Sequence, residues 1–174
     1  SRQVPVFLEA ICSQIFRVTD SLRPALNTTC EAYPMQIEHR TIANATQDVI
    51  FRIYEDVAHW HTWDPDTKQA TLDGPLRTGA QGTLTPTKGR TVPMRVTDVV
   101  PSRSFTVESK IPLFRMVFEH ELRPSQSGTE VIHRVTFSGF LSILLGPMLI
   151  KQLNVGLPVT LGRLKQLAES SNTA

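Results

Sequence analysis

The stretch that most restricts this chain's fold is residues 146–170, GPMLIKQLNVGLPVTLGRLKQLAES. Ile150, Leu153, Leu157, Leu161, Leu164 and Ala168 recur at spacings of three and four, the repeat of one apolar helix face. Lys151, Gln152, Asn154, Arg163, Lys165 and Gln166 fall between them. At ~1.5 Å per residue the helix spans roughly 37 Å, enough to cross a small domain. Pro147 suits a first helical position, where its missing N–H is no loss. Pro158 cannot donate to the carbonyl of Asn154 and its ring crowds that group, so with Gly156 nearby a bend is expected between Asn154 and Pro158. A long helix that follows a run of strands predicts a sheet wrapped around it.

The chain has 174 residues, 20% charged and 40% hydrophobic, which fits one domain with a real core. Its formal net charge is +2, with no basic cluster and no aromatic–basic interleaving, so nucleic acid is excluded as an expected partner. The longest apolar run, Phe140 to Ile150, is interrupted by Ser142, Gly146 and Pro147. It falls short of the ~20 residues that span a bilayer, and no stable membrane insertion is expected. The first residues lack the basic-then-apolar order of a signal peptide, although the chain does not start with Met. A soluble, cytoplasmic protein is the expectation. Cys12 and Cys30 form no disulfide framework; a turn joining them would allow a bond, but two free thiols in a reducing cytosol fit better.

Residues 1–34 read as an N-terminal extension. Val4, Phe7, Leu8, Ile11, Ile15, Val18 and Leu22 form a helical stripe ended by Pro24, and Asn27 to Pro34 reads as a loop. Either Met35 is the natural start, or the preceding helix is integral and packs on the domain. From Met35 the pattern becomes regular. A strand over 36–43 leads to a helix capped by Asn44 or Thr46, whose apolar face holds Val49, Ile50, Ile53 and Tyr54. A second short helix follows around Trp60 and ends at Pro65. Strands are then predicted over 67–73, 81–87, 91–100, 103–111, 114–122 and 129–138, divided by turn-rich separators such as Asp73-Gly74-Pro75 and Lys88-Gly89. Short connections between consecutive strands predict an antiparallel meander. The helical domain body ends near 170, leaving 171–174 as a tail.

The order is strand, two short helices, six strands, long helix: an α+β chain. This order resembles the SRPBCC superfamily, the helix-grip fold shared by lipid-transfer START domains, the birch-pollen-allergen group and polyketide cyclases. The likeness covers about residues 35–170, and is most like the bacterial polyketide cyclase/dehydrase and lipid-transport branch. Its local marks are Trp60-x-x-Trp63-Asp64-Pro65, Val96-x-x-Val99-Val100-Pro101 and Leu161-Gly162-Arg163-Leu164-Lys165. The resemblance implies a curved antiparallel seven-stranded sheet around the C-terminal helix, with a cavity between them for a small hydrophobic ligand.

The strand period assigns the side chains that face such a cavity. On the sixth strand Met116, Phe118, His120 and Leu122 share a face; on the seventh Val131, His133, Val135 and Phe137 do so. A loop over 125–128 pairs residues whose numbers sum to 253, which sets His120 across from His133. Two inward imidazoles would polarise a ligand carbonyl or move a proton; as catalytic groups they are outweighed by structural histidines satisfied within the core. A one-residue slip would turn both outward. Met94 and Val96 on the fourth strand, Phe105 on the fifth, and Leu153, Leu157 and Leu161 on the helix complete the candidate wall, with Trp63 at its mouth. Ordinary core is the competing role for each of them.

His59, His61, Asp64 and Asp66 invite a metal reading, but residues two apart on a helix do not share a face, and no metal is expected. Trp60 and Trp63 more simply anchor the helices to the sheet, and Asp64 holds a turn. No phosphate-binding glycine loop and no Gly-x-Ser-x-Gly elbow occurs, so no cofactor is expected. Phe140 to Leu145 reads first as a buried helix entrance, with a mobile apolar lid or a membrane-touching surface as alternatives. The functional expectation is a binder of a lipid-like or polyketide-like molecule. A cyclase or dehydratase using His120 or His133 as acid or base is the rival, and a module docking through the N-terminal helix a third reading. Oligomeric state and ligand identity stay open at this level.

Overall fold

A computed structural model describes residues 35–171. The predicted stripe from Val4 to Leu22, both cysteines and the last three residues lie outside the described residues. Strand β1 (Met35–Ala43) is followed by helix α1 (Gln47–Glu55) and a 3₁₀ helix (Val57–Thr62). Six strands come next: β2 (Thr67–Leu72), β3 (Gln81–Pro86), β4 (Val92–Val100), β5 (Ser104–Ile111), β6 (Phe114–Ser125) and β7 (Gly128–Ser138). Helix α2 (Ser142–Ser171) closes the fold. The strands form one seven-stranded sheet in the order β1-β7-β6-β5-β4-β3-β2, with every neighbouring pair antiparallel. This is the helix-grip architecture: a meander from β2 to β7, with β1 added at the far edge beside β7.

Local chemistry accounts for the element ends. Thr46 adopts extended geometry and its hydroxyl accepts the Val49 N–H at 3.4 Å, capping α1. The Trp60 indole donates to the Tyr54 carbonyl at 2.9 Å, which satisfies an end group of α1 and pins the 3₁₀ helix against it. Pro147 is not the first helical residue: α2 begins five residues earlier, at Ser142. Two contacts start it there. The Ser142 hydroxyl donates to the Gly139 carbonyl at 2.6 Å, and the Leu141 N–H donates to the Leu113 carbonyl at 2.9 Å. Tertiary anchoring thus overrides the proline signal. The helix also continues through Pro158; Pro158 and Asn154 are both exposed, where water can meet the carbonyl the ring leaves free.

The inward stripe of α2 is as predicted at its C-terminal half. Leu157, Leu161, Leu164 and Ala168 are buried, whereas Ile150 and Leu153 are half-buried. The helix packs along β1 and touches β7. Two apolar clusters result. The larger joins α1, the 3₁₀ helix, β4, β5 and the end of α2; the smaller holds Ile37, Val135, Phe137 and Leu157, with Met116, Phe118 and Leu153 packed against it. Phe118 borders both. On the convex face charged residues pair across strands, Arg134 reaching Glu38 at 2.6 Å and Glu119 at 3.7 Å, and along β6, where Arg123 reaches Glu121 at 2.7 Å. That polar face fixes which side of the sheet meets the helix.

Candidate functional site

The β6–β7 register is the one the loop arithmetic predicts. Ser125 pairs with Gly128 and His120 with His133. Ladder neighbours point to one side of a sheet, so both imidazoles enter the core, 5% and 0% exposed. β1 adds a third: His39 pairs with His133 from the other side. Three histidines therefore stand in one row across β1, β7 and β6. His39 is only half-buried, and its Nε2 meets the Asn154 side chain of α2 at 3.1 Å.

An aromatic cage surrounds the inner two. The His120 ring lies between Phe105, stacked at 4.0 Å, and Phe118, stacked at 4.6 Å. His133 meets His120 edge-on, with ring centres 4.6 Å apart. Tyr54 packs within 6.0 Å of Trp63, Phe105, His120 and His133, and its hydroxyl lies 2.9 Å from His133 Nε2. With Tyr54 as donor, the neutral His133 ring carries its proton on Nδ1. Burial pushes the Tyr54 hydroxyl far above its ordinary range and drives His133 down to about 3. His120 is lowered well below the usual value, first by burial and then by the neighbouring His133. Both imidazoles are therefore neutral at physiological pH.

Among the described residues, three polar atoms in this cage have no hydrogen-bond partner: His120 Nδ1, His133 Nδ1 and Trp63 Nε1. Buried polar groups are nearly always satisfied, so three orphans around one tyrosine are an unusual concentration. Trp63 also faces a surface groove of about 410 Å³ between α1, the 3₁₀ helix and the end of α2, beside Arg52, Ile53 and Leu167.

The remaining predicted wall residues divide between the two clusters. Trp63, Met94, Val96, Phe105 and Leu161 belong to the larger. Val135 and Leu157 lie in the smaller, with Met116, Phe118 and Leu153 half-buried at its border. Tyr54 and His39 were missed by sequence reasoning. The period of α1 placed Tyr54 on the apolar face, but gave no sign that its hydroxyl would meet His133. His39 alternates inward on β1, a signal that needs the β1–β7 pairing to be read.

Asp64 has a structural role. Its carboxylate accepts from the Thr67 hydroxyl at 2.6 Å, the Thr160 hydroxyl at 2.9 Å and the Asp66 N–H at 3.2 Å, which ties the start of β2 to α2. Burial nonetheless raises its pKa, because desolvation outweighs these bonds. His59 pairs with Asp56 at 2.7 Å, and His61 Nδ1 lies 3.1 Å from the Ala58 carbonyl.

The family model for polyketide cyclase / dehydrase and lipid transport matches residues 35–169. The chain belongs to this family. Its polyketide cyclase/dehydrase and lipid-transport fold is shared with solved structures of low identity. The di-domain ARO/CYC StfQ from the steffimycin biosynthetic pathway aligns with a TM-score of 0.68 at 13% identity, over 81% of this chain and 52% of that one, so the chain spans about half of StfQ. Ara h 8.0201 aligns with a TM-score of 0.63 at 11% identity, over 79% of this chain and 99% of that one. A protein from Thermus thermophilus gives 0.64 at 12% identity, with 79% and 99% covered. At such identities the likeness shows the fold. No curated protein matches the sequence.

Proposed function

We propose that this family member binds a small or medium hydrophobic molecule between the concave face of the sheet and α2, with a polar group of that molecule meeting His120, His133 and Trp63. The observation that carries this reading is the set of three buried nitrogens, without a partner among the described residues, in an otherwise aromatic cage. A ligand carbonyl or hydroxyl would satisfy them, and the apolar walls would take the rest by desolvation. Entry would lie at the half-buried Met116, Phe118 and Leu153, where the smaller cluster thins toward the surface. The family description, which covers both cyclase and lipid-transport members, supports ligand capture in general terms.

The rival reading makes His120 or His133 an acid or base. Tyr54 bonded to His133 supplies the start of a relay. An imidazole held down near 3 is a weak base at neutral pH, however. Orientation of a bound molecule suits these rings better than proton abstraction.

Native mass spectrometry of the purified chain is the first test, with an apolar molecule of defined mass as the expected result. A titration with anilinonaphthalene sulfonate follows. Saturable binding should weaken about tenfold in Phe118→Ala, the loss expected for removing one aromatic wall. Absence of both a co-purified molecule and saturable probe binding would overturn the proposal.

A further inference from the structure

The outward side of α2 is apolar where a surface helix normally carries charge. Ile143, Leu144 and Met148 are 63%, 76% and 60% exposed. Val155 and Val159 continue along the same helix and are also exposed. At its N-terminal end this side meets the β5–β6 hairpin, because the Leu141 N–H donates to the Leu113 carbonyl. Leu113 and Phe140 extend the patch there, 65% and 62% exposed. Isolated surface leucines need no explanation, but a contiguous set does.

Two further observations indicate what covers it. The first is charge. No Asp or Glu occurs from Val131 to Ala168, so α2 has no carboxylate before Glu169. Lys110, one residue before the hairpin turn, and Lys151 on α2 are both exposed beside the patch. The second is backbone strain. Leu113 follows Pro112 in the turn and has φ 64°, the position where such a turn favours glycine. A bulky side chain held in the left-handed region and left in water adds little to folding.

We propose that this face docks on an anionic lipid bilayer, with Leu113, Phe140 and Leu144 entering the acyl boundary and Lys110 and Lys151 at the headgroups. A second copy of the chain fits less well, since a self-paired interface would set these lysines against an α2 face without carboxylates. By length and composition α2 could cross a bilayer. Its inner face is fixed in the core through Leu157, Leu161 and Leu164, so the helix lies on the membrane and does not span it. This inference goes beyond the ligand reading and does not depend on it.

Flotation of the full chain with vesicles tests it. The protein should float with mixed phosphatidylcholine–phosphatidylglycerol vesicles, much less with phosphatidylcholine alone, and should be released in part by salt. Leu144→Asp and Leu113→Gly should each lower the bound fraction about tenfold. Leu113→Gly should also raise Tm by relieving the turn, which separates lost docking from lost folding. Trp60 and Trp63 are buried, so in Phe140→Trp a blue shift on mixed vesicles reports insertion. No flotation on mixed vesicles would overturn the proposal, as would a dimer in solution that Leu144→Asp dissociates.

Discussion

His120 and His133 face each other across the β6–β7 ladder with their rings 4.6 Å apart at 76°, each with an Nδ1 that meets no partner among the described residues. Two neutral imidazoles in contact are a polar pair held inside apolar walls. Their lowered pKa values add to the pH dependence of stability.

Stability should fall as acid is added, and the sign follows from linkage. Both folded-state pKa values lie below the ordinary 6.5, that of His133 at about 3. The unfolded chain therefore takes up protons first. The histidine contribution is complete above about pH 6.5 and is lost on going down toward the folded values, at up to about 1.4 kcal/mol per pH unit for each ring. Denaturant titrations from neutral to mildly acidic pH check this.

In His120→Phe that slope should shrink by one proton's worth. The new ring would continue the stack between Phe105 and Phe118. It would also remove a buried nitrogen without a partner, so stability at neutral pH should hold or rise. Comparison of denaturation midpoints at two pH values separates the two effects.

Tyr54→Phe tests the other end of the cage. The hydroxyl is the partner of His133 Nε2, and its loss leaves both nitrogens of a fully buried ring unsatisfied. A destabilisation of about 1–3 kcal/mol is expected, read by urea denaturation.

Two glycine variants should diverge. A Cβ at Gly82 would run into the Thr71 backbone carbonyl of the neighbouring strand, which cannot move without breaking the β2–β3 ladder. Gly82→Ala should therefore cost several kcal/mol, at the severe end of point substitutions. At Gly146 the clash is with the end of the flexible Met35 side chain. There the gain in helix propensity, about 1 kcal/mol, should largely offset the displacement. Thermal unfolding of the pair distinguishes a rigid neighbour from a yielding one.

Much of this architecture was legible because period and turn chemistry agreed along the chain. The Ser125–Gly128 connection fixed one register, and the facing of His120 and His133 across β6 and β7 followed from it. The start of α2 was not legible. Ile143 and Leu144 are apolar yet point outward, so the inward period begins only further on, and the signals that start the helix come from Gly139 and the distant Leu113. The same residues correct the expectation of a buried helix entrance over 140–145: Phe140, Ile143 and Leu144 stand in solvent. In the candidate site His120 and His133 could be paired from spacing alone. Tyr54 and His39 could not, because their partners lie 79 and 115 residues away in sequence.

The three hydrogen bonds to Asp64 make that side chain a strut of fixed length between the first turn of the meander and the closing helix. Lengthening it by one methylene would push α2 outward from the start of β2 and carry Leu157 and Leu161 with it.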